Sequence, residues 1–382
     1  MKIRLLRLIR LTVAASGLVP LCGFGQEKPR MMVIEPATAE FPRSDTAAMI
    51  QLEDGTLVIV YQKSIGGNAH DGGYKQIWSQ TSSDGGNTWG NGRMLVDAAE
   101  GDIYAAAPSI VRLKSGAILM SCVGLTKDKT LTTQYLFRSD DNGKTFQPQG
   151  TIWNKDHRDA SQGGAASMVQ LASGRILLPV QCYLGPPLEG KSANRNAPRS
   201  AWCFYSDDEG RTWKESTGKV LLPKRGALEG SVAQLSDGRV IMSLRTQLGG
   251  PYLAWSTDQG ETWSEAVFSG LEGGESCTVV RRVPGSDDLA LIWNHSKYDV
   301  TNSHFGLRTP LTSALSHDGG KTWTNIRNIE SEPAAEYTNL NCFFTKGGQA
   351  IVTYIYSDQG FAREQMPLRA DIFDREWLYG HD

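Results

Sequence analysis

Apolar residues along this chain fall in short runs of strand length, such as 57–61 and 241–244, and polar turns containing glycine precede them. The turns repeat. Leu52-Glu53-Asp54-Gly55-Thr56-Leu57, Leu113-Lys114-Ser115-Gly116-Ala117-Ile118, Leu171-Ala172-Ser173-Gly174-Arg175-Ile176 and Leu235-Ser236-Asp237-Gly238-Arg239-Val240 all read as strand, tight turn, strand. Weaker copies sit at 284–289 and 345–350, which makes six hairpins.

A second repeat runs out of phase with the first. The pattern S-x-D-x-G-x-T-[W/F] occurs at 82–89, 139–146, 206–213, 256–263 and 316–323, with spacings of 57, 67, 50 and 60 residues. A period of that size marks stacked or radially arranged supersecondary units. In each copy the aspartate can fold its carboxylate onto nearby backbone N–H groups, glycine supplies a positive φ, and the aromatic residue packs between sheets. Two hairpins per unit give four strands, which is one blade of a β-propeller. The sequence therefore predicts an all-β, six-bladed propeller with these Asp-box hairpins, spanning residues 26–382 as one domain. The apolar run 31–34 is expected to supply the strand that closes the ring with the last blade.

Composition fits this architecture. Glycine is abundant, with 41 residues, and no 18-residue apolar stretch lies inside the body to suggest a membrane span. Residues 1–25 differ in kind: Lys2, Arg4, Arg7 and Arg10 precede the apolar stretch 11–21, and Gly23-Phe24-Gly25 offers small residues to a signal peptidase. This is the pattern of a secretory signal peptide, so the protein is expected to be exported to the periplasm or the medium. Lipoprotein processing at Cys22 is disfavoured by the bulk of Leu21. Cleavage would remove four positive charges and no acid, moving the formal net charge from −2 to −6. An acidic exported protein is a poor partner for nucleic acid or anionic membrane, and a monomer is expected. Five cysteines remain: Cys122, Cys182, Cys203, Cys277 and Cys342. Their odd number and wide spacing describe neither a disulfide framework nor a zinc site, although one pair, such as Cys182 with Cys203, stays open. Neither a metal nor another cofactor is implied.

A ring of Asp-box blades in an exported chain resembles the sialidase superfamily, and the resemblance covers essentially the whole mature sequence. The boxes argue for fold and not for activity, so function must come from other residues. Sialidases surround the substrate carboxylate with three arginines, use an aspartate as acid/base, and place a Tyr–Glu pair beneath the anomeric carbon. The resemblance assigns the arginines to Arg43, Arg245 and Arg308, the acid/base to Asp71, the glutamate to Glu229 and the nucleophile to Tyr337. Its most specific segment is 228–245, where Glu229 opens a strand, a D-G turn follows and Arg245 ends the return strand. Around Arg43 the chain departs from the family, with Ser44-Asp45 in place of Ile-Pro and Gln62-Lys63-Ser64 in place of Glu-Gly-Arg.

The resemblance implies a glycoside hydrolase of the exo-α-sialidase type that releases terminal sialic acid with retention. Guanidinium groups suit a carboxylate through charge-assisted, partly bidentate hydrogen bonds. A neutral phenol can approach a carboxylate-bearing anomeric carbon without the like-charge repulsion a carboxylate nucleophile would meet. Two alternatives remain open at this stage: the same ring acting on another ulosonic acid, and a propeller that binds a sialylated or other acidic glycan without turning it over.

Overall fold

The computed structural model describes residues 28–66, 69, 74–97, 105–125, 132–152, 160–163, 167–184, 197–358 and 365–380. The leader expected at 1–25 lies outside these residues. Six sheets follow one another around a ring. The first blade holds β2 (Ser44–Gln51), β3 (Leu57–Ser64), β4 (Lys75–Ser82) and β5 (Gly90–Asp97), after a short strand β1 (Arg30–Glu35). The second holds β6 (Ala106–Arg112), β7 (Ile118–Leu125), β8 (Thr132–Ser139) and β9 (Gln147–Ile152). In the third, an inner strand in two pieces, β10 (Ala160–Ser161) and β11 (Val169–Gln170), pairs with β12 (Ile176–Tyr183), followed by β13 (Arg199–Ser206) and β14 (Lys214–Glu215). The fourth comprises β15 (Leu228–Gln234), β16 (Val240–Arg245), β17 (Tyr252–Ser256) and β18 (Val267–Phe268). The fifth comprises β19 (Val279–Arg282), β20 (Leu289–Asn294), β21 (Leu311–Ser316) and β22 (Thr324–Glu330). The last blade is β23 (Ala335–Phe344), β24 (Gln349–Asp358) and β25 (Leu368–Asp374), with β1 as its outer strand. Six blades and closure through residues 31–34 agree with the sequence reading: Met31 pairs with Asp371 and Val33 with Arg369.

The apolar core lies between blades. Ala48 and Val58 of the first blade share one cluster with Ile110 and Met120 of the second, and Leu57 and Ile59 share another with Ile351 and Ile372 of the last. Alternation along each strand sends one set of side chains to each neighbour, as a pleated strand buried on both faces must. The Asp boxes serve the same joints. In the first box Ser82 Oγ donates to Asp84 Oδ1 at 2.8 Å, while Asp84 accepts from Thr88 N at 2.9 Å and Thr88 Oγ1 at 2.7 Å. The other four repeat this arrangement, as with Asp208 and Thr212. The hydrogen bonds from Thr88 and Ser82 hold the Asp84 carboxyl down at about 2. Gly260 shows why glycine is needed: its φ is +87°, and a Cβ there would lie 2.9 Å from Leu177 of the preceding blade. The box aromatics Trp89, Trp213 and Trp323 likewise pack against the blade before their own. At the turn end, glutamines clasp successive blades: Gln51, Gln170 and Gln234 accept the backbone N–H groups of Lys346, Lys114 and Ala172, each at 2.7 Å.

The five cysteines 122, 182, 203, 277 and 342 are buried and form no disulfide among the described residues, so no bond joins Cys182 to Cys203. Among the described residues, no helix is long and apolar enough to cross a membrane.

The closing blade carries a buried acid. Asp371 on β25 is fully buried; Oδ2 accepts from Tyr354 Oη at 2.7 Å and Oδ1 has no partner. Burial pushes its pKa from 3.8 up to about 7. An acid whose folded pKa lies above its unfolded value stabilises the fold below the unfolded pKa, and that contribution is lost as pH rises to the folded one. Asp371→Asn is therefore expected to flatten the fall in stability between about pH 4 and 7 and to be the more stable protein at pH 8. Urea unfolding across this range reads the slope; identical slopes for both proteins would mean that Asp371 is ionised in the fold.

Candidate active site

The inner strands are interrupted in the same way at four blades. Pairing skips two residues between Asp45 and Ala48, Ala106 and Ser109, Leu228 and Ser231, and Thr338 and Asn341. The first skipped residue is left-handed each time: Thr46 (φ 48°), Ala107 (φ 44°), Glu229 (φ 45°) and Asn339 (φ 50°). Such bulges re-aim a side chain, at a cost on the order of 1 kcal/mol per non-glycine residue. All four residues face one cavity of about 810 Å³ at this end of the ring axis. Two bulge N–H groups are satisfied from the preceding blade: Ala107 N donates to Gln62 Oε1 at 2.7 Å and Glu229 N to Gln181 Oε1 at 3.2 Å.

The described lining carries six cations, Arg43, Lys75, Lys224, Arg225, Arg245 and Arg308, against three carboxylates, Glu229, Glu275 and Glu336. Arg245, the last residue of β16, is 8% exposed; its Nη1 lies 3.0 Å from Glu229 Oε1 and its Nη2 3.5 Å from Glu275 Oε1. Glu275 also holds Arg225 and accepts from Gln247 Nε2 at 3.0 Å. Glu229 Oε2 accepts from the Cys277 thiol at 2.6 Å. Burial opposes the charge on Glu229, but Arg245, Cys277 and Arg308 together outweigh it and hold the carboxyl below its usual range. Arg43 is bound to the buried Asp45, whose Oδ2 accepts from Asn339 Nδ2 at 3.3 Å.

Arg308 is different. It stands on the loop between β20 and β21, with Nη2 3.2 Å from His304 Nδ1, and among the described residues no carboxylate pairs with it. Burial and the neighbouring Arg245 pull its pKa down to about 10, which leaves it charged at neutral pH. The Nε atoms of both Arg245 and Arg308 are buried without a hydrogen-bond partner. A half-buried guanidinium with an unused donor and no carboxylate at ion-pair distance can receive an anion, and a carboxylate matches its fork.

The family model of the BNR repeat-like domain matches residues 55–352. The chain belongs to that family. Among curated relatives, a sialidase from Paraclostridium sordellii is 28% identical over 237 residues, which is 56% of this chain and 55% of that one. The chain thus spans about half the length of that relative. Of solved structures, the Hadza microbial sialidase Hz136 superposes with a TM-score of 0.72 at 18% identity, covering 91% of this chain and 68% of its own. A protein of unknown function from Dyadobacter fermentans superposes at 0.67 and 19% identity, covering 90% and 99%. These likenesses establish a shared propeller.

Within this BNR repeat-like ring, Arg43, Arg245, Arg308 and Glu229 line one cavity, and Tyr337 does not. Tyr337 is 1% exposed and belongs to the core between the last two blades, with its ring 5.3 Å from that of Tyr354. Its hydroxyl accepts from Glu332 N at 3.3 Å and lies 3.5 Å from Glu330 Oε2. The assignment of Tyr337 as the nucleophile beside Glu229 is therefore corrected. Alternation on β23 turns Glu336 and Thr338 to the cavity and Tyr337 away, and the residue equivalent to Glu229 is Asn339. A signal for this existed: Thr46, Ala107, Glu229 and Asn339 each stand eight residues before the residue that precedes a turn glycine. Arg225, Glu275 and Cys277 were missed because they reach the site from loops and carry no local motif. Asp71 lies outside the described residues.

Proposed function

We propose that this protein is an exported glycoside hydrolase of the sialidase type, a single domain over 26–382 acting on the terminal carboxylate-bearing sugar of a glycan. The observation that carries this reading is the neighbouring pair Arg245 and Arg308, each with a buried, unused Nε donor and, at Arg308, no carboxylate at ion-pair distance among the described residues. Relatives named sialidases support the substrate class. In this reading Arg43, Arg245 and Arg308 hold the sugar carboxylate, Glu229 is the base at the anomeric centre, and Asp71 protonates the leaving oxygen. Arg245 keeps Glu229 ionised and fixed, so the base is ready at neutral pH. Retention through a tyrosyl intermediate would need a phenol at Glu229, where Cys277 and Asn339 now stand. That same observation favours a second reading, in which the cavity binds an acidic sugar without cleaving it.

A fluorogenic panel of sialosides and other ulosonic acid glycosides, combined with calorimetry using the free sugars, separates the two. Turnover with burial of the carboxylate is expected, and proton NMR of the earliest product gives its anomeric configuration. Saturable binding without turnover would select the second reading. Neither binding nor turnover across the panel would remove both.

A further inference from the structure

The ring has a second cavity, of about 480 Å³, at the opposite end of the inner strands. On the first blade Arg43 and Thr46 face the arginine-rich site, whereas Met49 and Gln51 face this one; on the last, Asn339 faces the former and Phe343 the latter. Its size falls in the ~300–1,000 Å³ range of small-molecule sites. The walls are apolar, with Met49, Ile110, Met168 and Phe343 among them. The charged residues on its lining are Arg112, Lys114, Arg281 and Lys346, and no acid joins them among the described residues.

Arg281 occupies the inner end. Its Nε donates to Cys342 O at 2.9 Å, Nη1 to Ser231 Oγ and Val280 O at 2.8 Å, and Nη2 to Asn341 Oδ1 at 2.7 Å. All four acceptors are neutral, and one of the five guanidinium N–H groups is left over. Asn341 in turn donates to Ala47 O at 2.8 Å and Ser167 Oγ at 2.9 Å, so this network bridges the axis between the two cavities. Beside it, Thr353 is 3% exposed, lines the cavity, and its Oγ1 has no partner. A half-buried cation without a carboxylate partner and an unmet hydroxyl thus stand at the inner end of an apolar chamber. Lys114 and Lys346 stand exposed at its mouth.

We infer that this second cavity is a binding site for a small apolar monocarboxylate, with its carboxylate at Arg281 and Thr353 and its hydrocarbon body against Met49, Ile110, Met168 and Phe343. The site is separate from the arginine-rich cavity and stands whether or not that cavity hydrolyses glycans. Arg281 supplies the charge for which the chain provides no acid, and the apolar walls exclude a free sugar acid.

Isothermal titration of the full protein with octanoate, octanol and octyltrimethylammonium tests the assignment, because the three share a tail and differ in head group. Saturable one-to-one binding of octanoate is expected, with the other two at least about tenfold weaker, since a charge-assisted pair is lost or reversed. Thr353→Val should weaken octanoate several-fold, and Lys346→Glu, on the exposed rim, should also weaken it. Met168→Trp, which fills the chamber, should abolish binding while leaving acidic-sugar binding at the other cavity unchanged. Absence of saturable octanoate binding, or equal binding of the three probes, overturns the proposal. Octanoate affinity unchanged in both Thr353→Val and Lys346→Glu would do the same, independently of whether Met168→Trp folds.

Discussion

Arg308→Met is expected to weaken capture of a planar, unsaturated, carboxylate-bearing sugar analogue by roughly 100-fold, while the melting temperature stays level or rises. The guanidinium is half-buried beside Arg245 and makes no ion pair with a carboxylate among the described residues, so the fold gains little from its charge. Charge-assisted hydrogen bonds are worth about 1.5–3 kcal/mol each, and a bidentate pair accounts for the loss. Arg245→Met should behave differently. It would take from Glu229 its ion-pair partner, while Arg225 still holds Glu275, and breaking a buried pair from one side costs about 3–5 kcal/mol. Binding and stability should then fall together. Calorimetric titration and thermal unfolding of both variants decide the matter; analogue affinity at the wild-type level in Arg308→Met would end the carboxylate-clamp reading.

The second large effect separates Glu229 from Tyr337. Glu229→Gln should lower turnover of an activated sialoside by about 10²–10⁴-fold, the usual worth of a positioned base. Tyr337→Phe should keep turnover within a few-fold and cost no more than about 1 kcal/mol in urea unfolding, because its hydroxyl makes two long hydrogen bonds to residues that do not line the cavity. A folded but inactive Tyr337→Phe would show that β23 re-registers in the working enzyme and brings the phenol to Glu229.

The contrast between these residues marks what the sequence makes legible. The turns and boxes are local chemistry: Asp84 bonds to Thr88 four residues away, and Gly260 answers a backbone requirement. Six blades and closure by residues 31–34 follow from counting them. Arg245 and Glu229 are legible because one hairpin carries both, with Leu228 opposite Arg245. Tyr337 misleads because the face a residue takes depends on a bulge downstream of it, and a slip within one strand reverses inside and outside. Arg225 and Glu275 are joined by tertiary contact across a sequence separation of 50, and no pattern of spacing announces that.

Because the apolar clusters lie between blades, no blade has an interior of its own. Wherever a growing chain stops it presents one raw flank at its newest blade and another at its first, and only β25 (Leu368–Asp374) brings β1 into place. A chain that emerges from its N-terminus must therefore carry an unsatisfied leading edge until β25 has been made. The seam is therefore a late one: the ring cannot snap shut early, and its first and last blades stay unjoined until β25 reaches β1.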